Sequence, residues 1–177
     1  MSASAPGPAR LTPTEWRVLA LTALGLTAGL AYGGIAVKEA VVFYLAGLFF
    51  EVVTDRMWIY NPEIKPSFFT LARTDINLLV SSGWVGVAGL SVSLARLLGD
   101  FLPALHPLAG LFLSFFLVGN AIESLYLALG TFRYDAENFW LKFPFGRMVT
   151  IAKVPWAVRL GYGTLMPGMT WLILKNY

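Results

Sequence analysis

The chain has no cysteine and a single histidine, His106. The first absence excludes disulfides and thiolate metal sites. The second excludes a haem held by two histidines of this chain and a histidine-rich zinc or iron site. Carboxylates remain as metal ligands, but no motif organises them, and neither metal nor other cofactor is expected. No phosphate-binding glycine loop and no G-x-S-x-G elbow occurs. Charge is scarce too: 13% of residues are Asp, Glu, Lys or Arg, against about 25% in an average soluble domain.

Apolar side chain fills the space that charge leaves. Of 177 residues, 57% are hydrophobic and 15% aromatic, with a mean hydropathy of +0.67. One soluble domain could not hide that much, so an all-α integral membrane protein is expected, with the lipid bilayer as its first partner. The net charge of +3 does not point to nucleic acid, because no basic stripe alternates with aromatics as single-strand binders require.

A helical span takes about 20 mostly apolar residues. Five runs qualify: 17–36, 38–55, 76–98, 105–130 and 155–174. They are continuous rather than alternating, which favours helices over a barrel. Residues 1–14, small and proline-containing, read as a disordered lead-in to one five-helix domain over 15–177. Without a basic n-region or cleavage site, the first run reads as retained. Arg10, Arg56, Lys65, Arg73, Arg133, Lys142, Arg147 and Lys153 fall in the N-terminal segment and in loops 56–75 and 131–154. The other side holds little beyond Lys38, Arg96 and Lys175. The positive-inside rule then puts the N-terminus in the cytoplasm and the C-terminus opposite. Trp16, Trp58, Trp140 and Trp156 fall where interfacial anchors belong.

One phrase occurs twice. "FYLAGLFFE" (43–51) and "FFLVGNAIE" (115–123) share Phe43/Phe115, Leu45/Leu117, Gly47/Gly119 and Glu51/Glu123. Each is followed by aromatic-x-Tyr and then Asn or Asp, "WIYN" at 58–61 and "FRYD" at 132–135, and later by a Gly-aromatic pair, Gly83-Trp84 and Gly161-Tyr162. The order of features predicts an internal duplication, a parallel repeat of helical hairpins 2–3 and 4–5. Such repeats place the functional site at their interface.

An ionisable group within a span is a functional candidate. Glu51 and Glu123 are the catalytic candidates. Asp55 shares a helix face with Glu51 and also suits a plain helix end. Asn120 and Tyr126 lie near Glu123. Asn77 and Ser81 share a face of the third helix. Arg159 is expected at the depth of Glu123 as its ion-pair partner, which would keep Glu123 charged and leave Glu51 as proton donor. With Trp58, Trp84 and Tyr162, these groups (Asp55, Trp58, Asn77, Trp84, Asn120, Tyr126, Arg159, Tyr162) form the expected substrate-binding set. Asn77, Ser81 and Ser124 read equally well as interhelical polar contacts, and His106 as a bland surface residue. Burial and a neighbouring carboxylate both favour a protonated carboxyl. Such an acid, walled by aromatics that attract a carbocation, suits proton chemistry on a carbon–carbon double bond.

The pattern of membrane Glu, aromatic-x-Tyr and Gly-aromatic helix in two copies resembles the small integral-membrane carotenoid enzymes, the heterodimer-type lycopene cyclases and related carotenoid hydratases. "DRMWIYNP" at 55–62 is similar to the Trp-x-Tyr-Asn stretch of the cyclase group. The cyclases' Pro-x-Glu-Glu signature is replaced here by "RTDIN" at 73–77. The resemblance implies an acid–base enzyme on a hydrophobic isoprenoid (cyclisation, hydration or double-bond isomerisation), with Glu51 and Glu123 as acid/base pair. Two other classes fit the residues: a non-catalytic subunit or lipid- or pigment-binding protein, in a homo- or hetero-oligomer joined through Gly83, Gly86, Gly89, Gly161, Gly163 and Gly168, and a proton-coupled small-solute transporter.

Overall fold

The computed structural model describes residues 11–54, 57–61, 68–71 and 74–176; the side chains of 68–71, 74–77, 80 and 176 lie outside that description. Helix dominates. α1 (Pro13–Ala28) starts on a capping box, in which the Thr12 hydroxyl accepts the Glu15 amide at 3.2 Å and the Glu15 carboxylate accepts the Thr12 amide at 2.7 Å. Pro13, which lacks the N–H that would be orphaned there, occupies the first turn. α1 runs on into a π turn, Gly29–Gly33. α2 (Val37–Thr54) begins with the Glu39 carboxylate accepting the Ala36 amide at 2.6 Å. A short α3 (Leu78–Ser81) precedes α4 (Gly83–Phe101). α5 (Pro107–Ala128) is capped by His106, whose Nδ1 accepts the Leu108 amide at 3.2 Å; the one histidine is thus a helix cap. After α6 (Phe139–Lys142) come α7 (Trp156–Leu160), a second π turn Gly161–Leu165, and α8 (Met166–Asn176).

Two of these helices, α4 and α5, are long and apolar enough to cross a membrane. α1 has 16 residues, and the last apolar run is interrupted by its π turn. The third expected run began at 76, but the backbone there is extended: β2 (Phe68–Leu71) pairs antiparallel with β3 (Thr74–Asn77). In "TDIN" the β-branched Thr74 and Ile76 alternate with the helix-poor Asp75 and Asn77, so α4 starts only at Gly83 and extends to Phe101.

α1 lies against α4 with backbones touching. A Cβ on Gly25 would stand 2.0 Å from the Gly86 carbonyl oxygen, and one on Gly89 would stand 1.9 Å from that of Gly25. Small residues permit that approach. Gly161 and Gly168 meet nothing within 4 Å in the chain. The core gathers Phe43 of α2, Val85 and Val92 of α4, Leu111 and Phe115 of α5, and Tyr162 of the second π turn.

The two repeated phrases occupy matching environments. Phe43 and Phe115 are buried, as are Gly47 and Gly119; Leu45 and Leu117 face outward. The chain leaves α2 through β1 (Trp58–Tyr60) and α5 through β4 (Phe132–Tyr134), and these strands pair antiparallel with Ile59 opposite Arg133. The ribbon closes evenly at both ends, the Asn61 amide donating to the Thr131 carbonyl at 2.9 Å and the Asp135 amide to the Met57 carbonyl at 3.1 Å. The expected loop tryptophan, Trp58, is therefore a strand residue. A last ribbon pairs β5 (Thr150–Ile151) with β6 (Val154–Pro155).

Candidate functional site

Glu51 and Glu123 are each 5% exposed and line one cavity of about 50 Å³. A local pattern delivers each of them. Four residues before each carboxylate, on the same helix face, stands a glycine that seats a ring. A Cβ on Gly47 would lie 2.5 Å from Trp84, and one on Gly119 would lie 2.1 Å from Tyr162. The seated ring then turns its polar tip to the glutamate: the Trp84 indole N–H donates to Glu51 Oε1 at 3.3 Å, and the Tyr162 hydroxyl to Glu123 Oε2 at 3.0 Å. The two rings stack at 6.2 Å.

The ribbon supplies the remaining donors. The Tyr134 hydroxyl donates to Glu123 Oε1 at 2.5 Å, and the Tyr60 hydroxyl reaches Glu51 Oε1 at 3.5 Å. Trp58, in the strand that leaves α2, crosses to Glu123 Oε1 at 2.7 Å. Its counterpart in β4 is Phe132, which has no N–H to return to Glu51. Ser81 completes the Glu51 set. Glu123 thus holds three donors at 3.0 Å or less, while the Trp84 and Tyr60 contacts of Glu51 are longer. Burial first, and then the carboxylate charges, raise the Tyr60 and Tyr134 phenols well above their ordinary value.

The same rings wall a second chamber. Trp58, Trp84 and Tyr162 separate the glutamate cavity from one of about 40 Å³ lined by Phe50, Met57, Val158 and Met166. A much larger cavity, about 670 Å³, lies at the far end of α4 and α8 around Arg96 and Trp171 and is lined by none of the expected site residues. Volume and chemistry point to different places, and the buried carboxylates decide for the small cavity.

Of the expected set, Trp58, Trp84, Tyr126 and Tyr162 line the glutamate cavity. Asp55 and the side chain of Asn77 lie outside the described residues. Arg159 does not pair with Glu123. Its guanidinium donates to Asn120 Oδ1 at 2.9 Å and to the Ile151 carbonyl at 2.6 and 3.1 Å. The β5–β6 turn brings that carbonyl to the helix end, so the arginine is satisfied there. An ion pair does form between Lys142 and Glu137. Asn120 therefore serves the arginine rather than the cavity. Ser124 is exposed.

Tyr60 and Thr131 line the cavity and were not singled out from sequence. Tyr60 was within reach, as the tyrosine of the repeated aromatic-x-Tyr; Thr131 carries no such signal. The site brings together two carboxylates, the phenols of Tyr60, Tyr126, Tyr134 and Tyr162, and the indoles of Trp58 and Trp84. No protein-family model matches the chain, and neither a curated protein nor a solved structure is significantly similar to it.

Proposed function

We propose that the chain is an integral membrane enzyme that performs acid–base chemistry on a hydrophobic isoprenoid. In this reading α1, α2, α4, α5 and the α7–α8 segment are five spans, with the ribbon end and the N-terminus in the cytoplasm. The halves α2–α4 and α5–α8 are copies of one unit. An antiparallel ribbon centred on Ile59 and Arg133 is what a two-fold relation between copies would produce, and the matched Gly47–Trp84 and Gly119–Tyr162 seats support it.

The observation that carries the reading is that two buried glutamates, one per copy, share one aromatic-walled cavity. Glu123, with three short donors, is the fixed carboxylate that balances developing positive charge. Glu51, more loosely held, passes its proton to the double bond. Trp58, Trp84 and Tyr162 present ring faces and edges to the cation that results. A cavity of about 50 Å³ is far below the roughly 300–1,000 Å³ of ligand sites. The hydrocarbon end must therefore enter by displacing the ring partition towards the apolar chamber.

Glu51→Gln and Glu123→Gln in membranes test this. Proton transfer by a positioned side chain is worth about 10²–10⁴-fold, so each variant should lose polyene or terpenoid turnover by at least about 100-fold. Turnover left intact in both would overturn the reading. The closed volume and the fully bonded Glu123 favour one rival, a non-catalytic subunit in which the pair pins helices together. A stoichiometric membrane partner, with no turnover by the native chain, would establish that instead.

A further inference from the structure

The end of the molecule away from the ribbon is poor in positive charge, with little beyond Lys38, Arg96 and Lys175. In the proposed orientation this is the side that the positive-inside rule leaves bare, so orientation accounts for none of the three. Yet Arg96 of α4 and Lys175 of α8 line one cavity, that of about 670 Å³. The volume falls within the roughly 300–1,000 Å³ of ligand sites. Behind the cations the wall is hydrocarbon, formed by Val92 of α4, Leu111 of α5, and Trp171 and Leu174 of α8. Val92 and Leu111 are buried, whereas Arg96 and Lys175 are exposed at the mouth.

Arg96 is fixed at that mouth. Its Nη1 donates to the Tyr32 carbonyl at 2.7 Å, and its guanidinium lies over the Tyr32 ring at 5.3 Å. The π turn that presents Tyr32 ends on Gly34, whose φ of 77° favours glycine. Among the described residues nothing accepts from Arg96 Nε or Nη2. A planar fork with donors to spare suits the paired oxygens of a phosphate or carboxylate. Asp100, one turn further along α4, also lines the cavity and accepts the Tyr32 hydroxyl at 2.5 Å. The mouth therefore sets two cations against one carboxylate that already has a donor.

We propose that this cavity binds an anionic phospholipid, with its phosphate at Arg96 and Lys175 and an acyl chain along Leu111, Trp171 and Leu174. A zwitterionic lipid offers the same phosphate, but its ammonium group is repelled by the two cations, so net charge decides between lipids. The lipid packs between α8 and the hairpin of α4 and α5, at the end opposite the ribbon. The inference rests on the chain's lying in a bilayer and is independent of the glutamate chemistry. Gly99 offers a way to close the site. It lines the cavity, and a Cβ there meets nothing within 4 Å. A leucine at that position fills the mouth without a clash and is a better helix former than glycine.

Quenching of tryptophan fluorescence by brominated lipid tests the site in the full chain, because Trp171 is the one tryptophan of six that lines it. The protein is reconstituted in phosphatidylcholine vesicles holding a fixed fraction of acyl-brominated phosphatidylglycerol or acyl-brominated phosphatidylcholine. The phosphatidylglycerol should quench more strongly. Trp171→Phe and Gly99→Leu should each abolish that excess. Lys175→Gln, a change at an exposed helix end, should weaken the preference about five-fold, and Arg96→Gln at least as much. Equal quenching by the two lipids, or an excess that survives Trp171→Phe or Gly99→Leu, overturns the site. An excess that inorganic phosphate removes belongs to a soluble-anion site and overturns the lipid. Absence of quenching by either lipid overturns the membrane reading together with the site. Turnover by the Glu→Gln variants bears on the acid–base reading alone.

Discussion

Trp58, Trp84 and Tyr162 have a chamber on each side. On one side the wall carries Glu51, Glu123, Tyr60, Tyr126 and Thr131; on the other it carries Phe50, Met57, Val158 and Met166. Similar backbones make both walls. Thr131 and Met57 each precede the aromatic of a ribbon strand, and the amides of Asn61 and Asp135 bond to their carbonyls at 2.9 and 3.1 Å. The ribbon thus keeps its two-fold pairing while the side chains differ. One wall carries hydrogen-bonding groups among its apolar ones and the other is apolar throughout apart from the shared rings, so a hydrogen-bonding face and an apolar face sit back to back on one aromatic partition. Side-chain chemistry differs here at much lower cost than packing would, because a side chain on a strand can change without moving the helices that the ribbon joins.

The largest effect should come from the carboxylates, where the halves differ in how firmly each is held. Beyond the loss of turnover expected of both variants, Glu123→Gln should lower thermal stability more than Glu51→Gln. Donors reach both oxygens of Glu123, so an amide there must set its N–H₂ against an O–H or N–H donor whichever way it turns. An unpaired buried group costs about 1–3 kcal/mol. At Glu51 the Tyr60 and Trp84 donors both reach Oε1, so the amide carbonyl can face them, and the third partner, Ser81, carries a hydroxyl that can accept as well as donate. Equal losses in a melting experiment would mean that the two carboxylates are held alike.

Much of this asymmetry was not legible in the sequence. The repeated phrase marks the glycine seat and the glutamate, because both lie within one helix and their spacing is local. The apolar runs likewise mark the helices within a few residues, except where "TDIN" turns a presumed helix start into a strand. What the phrase does not disclose is pairing at long range. That the two aromatic-x-Tyr motifs hydrogen-bond to each other, and that Trp58 consequently reaches the other half's glutamate, depends on the ribbon register. Arg159 shows the same limit from the opposite direction. Its depth matches Glu123 by count along the helix, but the Ile151 carbonyl, delivered by a turn, satisfies it first. Thr131 became visible only as an unpaired hydroxyl beside a cavity.

A smaller effect should follow at the seats. Gly119→Ala places a methyl 2.1 Å from the Tyr162 ring, and Gly47→Ala places one 2.5 Å from Trp84. Overpacking of this kind typically costs about 1–3 kcal/mol, and the tighter seat should cost more. Each variant should also displace the ring that donates to its own glutamate, shifting tryptophan fluorescence for Gly47→Ala more than for Gly119→Ala. An unchanged melting temperature for both would show that the rings are free to leave their seats. Trp58→Phe is milder. It gives β1 the residue type that β4 already has at Phe132 and removes one of three donors to Glu123. A bond to a carboxylate is worth about 1.5–3 kcal/mol, but Tyr134 remains on the same oxygen and limits the loss. If Trp58→Phe proved as damaging as Glu123→Gln, the indole rather than the carboxylate would be the centre of the network.

The mildest test compares the two ribbon tyrosines by titration. Burial and the glutamate charges raise both phenols above their usual value of about 10. A raised folded-state value means that the folded form binds the phenol proton more tightly than the unfolded form does. The stability this contributes is fully present below pH about 10 and is lost as pH rises further towards the folded-state values. In an ultraviolet titration, Tyr60 and Tyr134 should therefore stay protonated after the exposed tyrosines have ionised, and should release their protons together with alkaline unfolding. Tyr134→Phe and Tyr60→Phe identify their shares of that late step and should flatten the fall in stability above pH about 10. Tyr134, at 2.5 Å from its carboxylate against 3.5 Å for Tyr60, is expected to have the larger effect on Glu123-dependent turnover. Early ionisation of both tyrosines in the folded protein would mean that solvent reaches the ribbon face, and the polar chamber would then be open rather than enclosed.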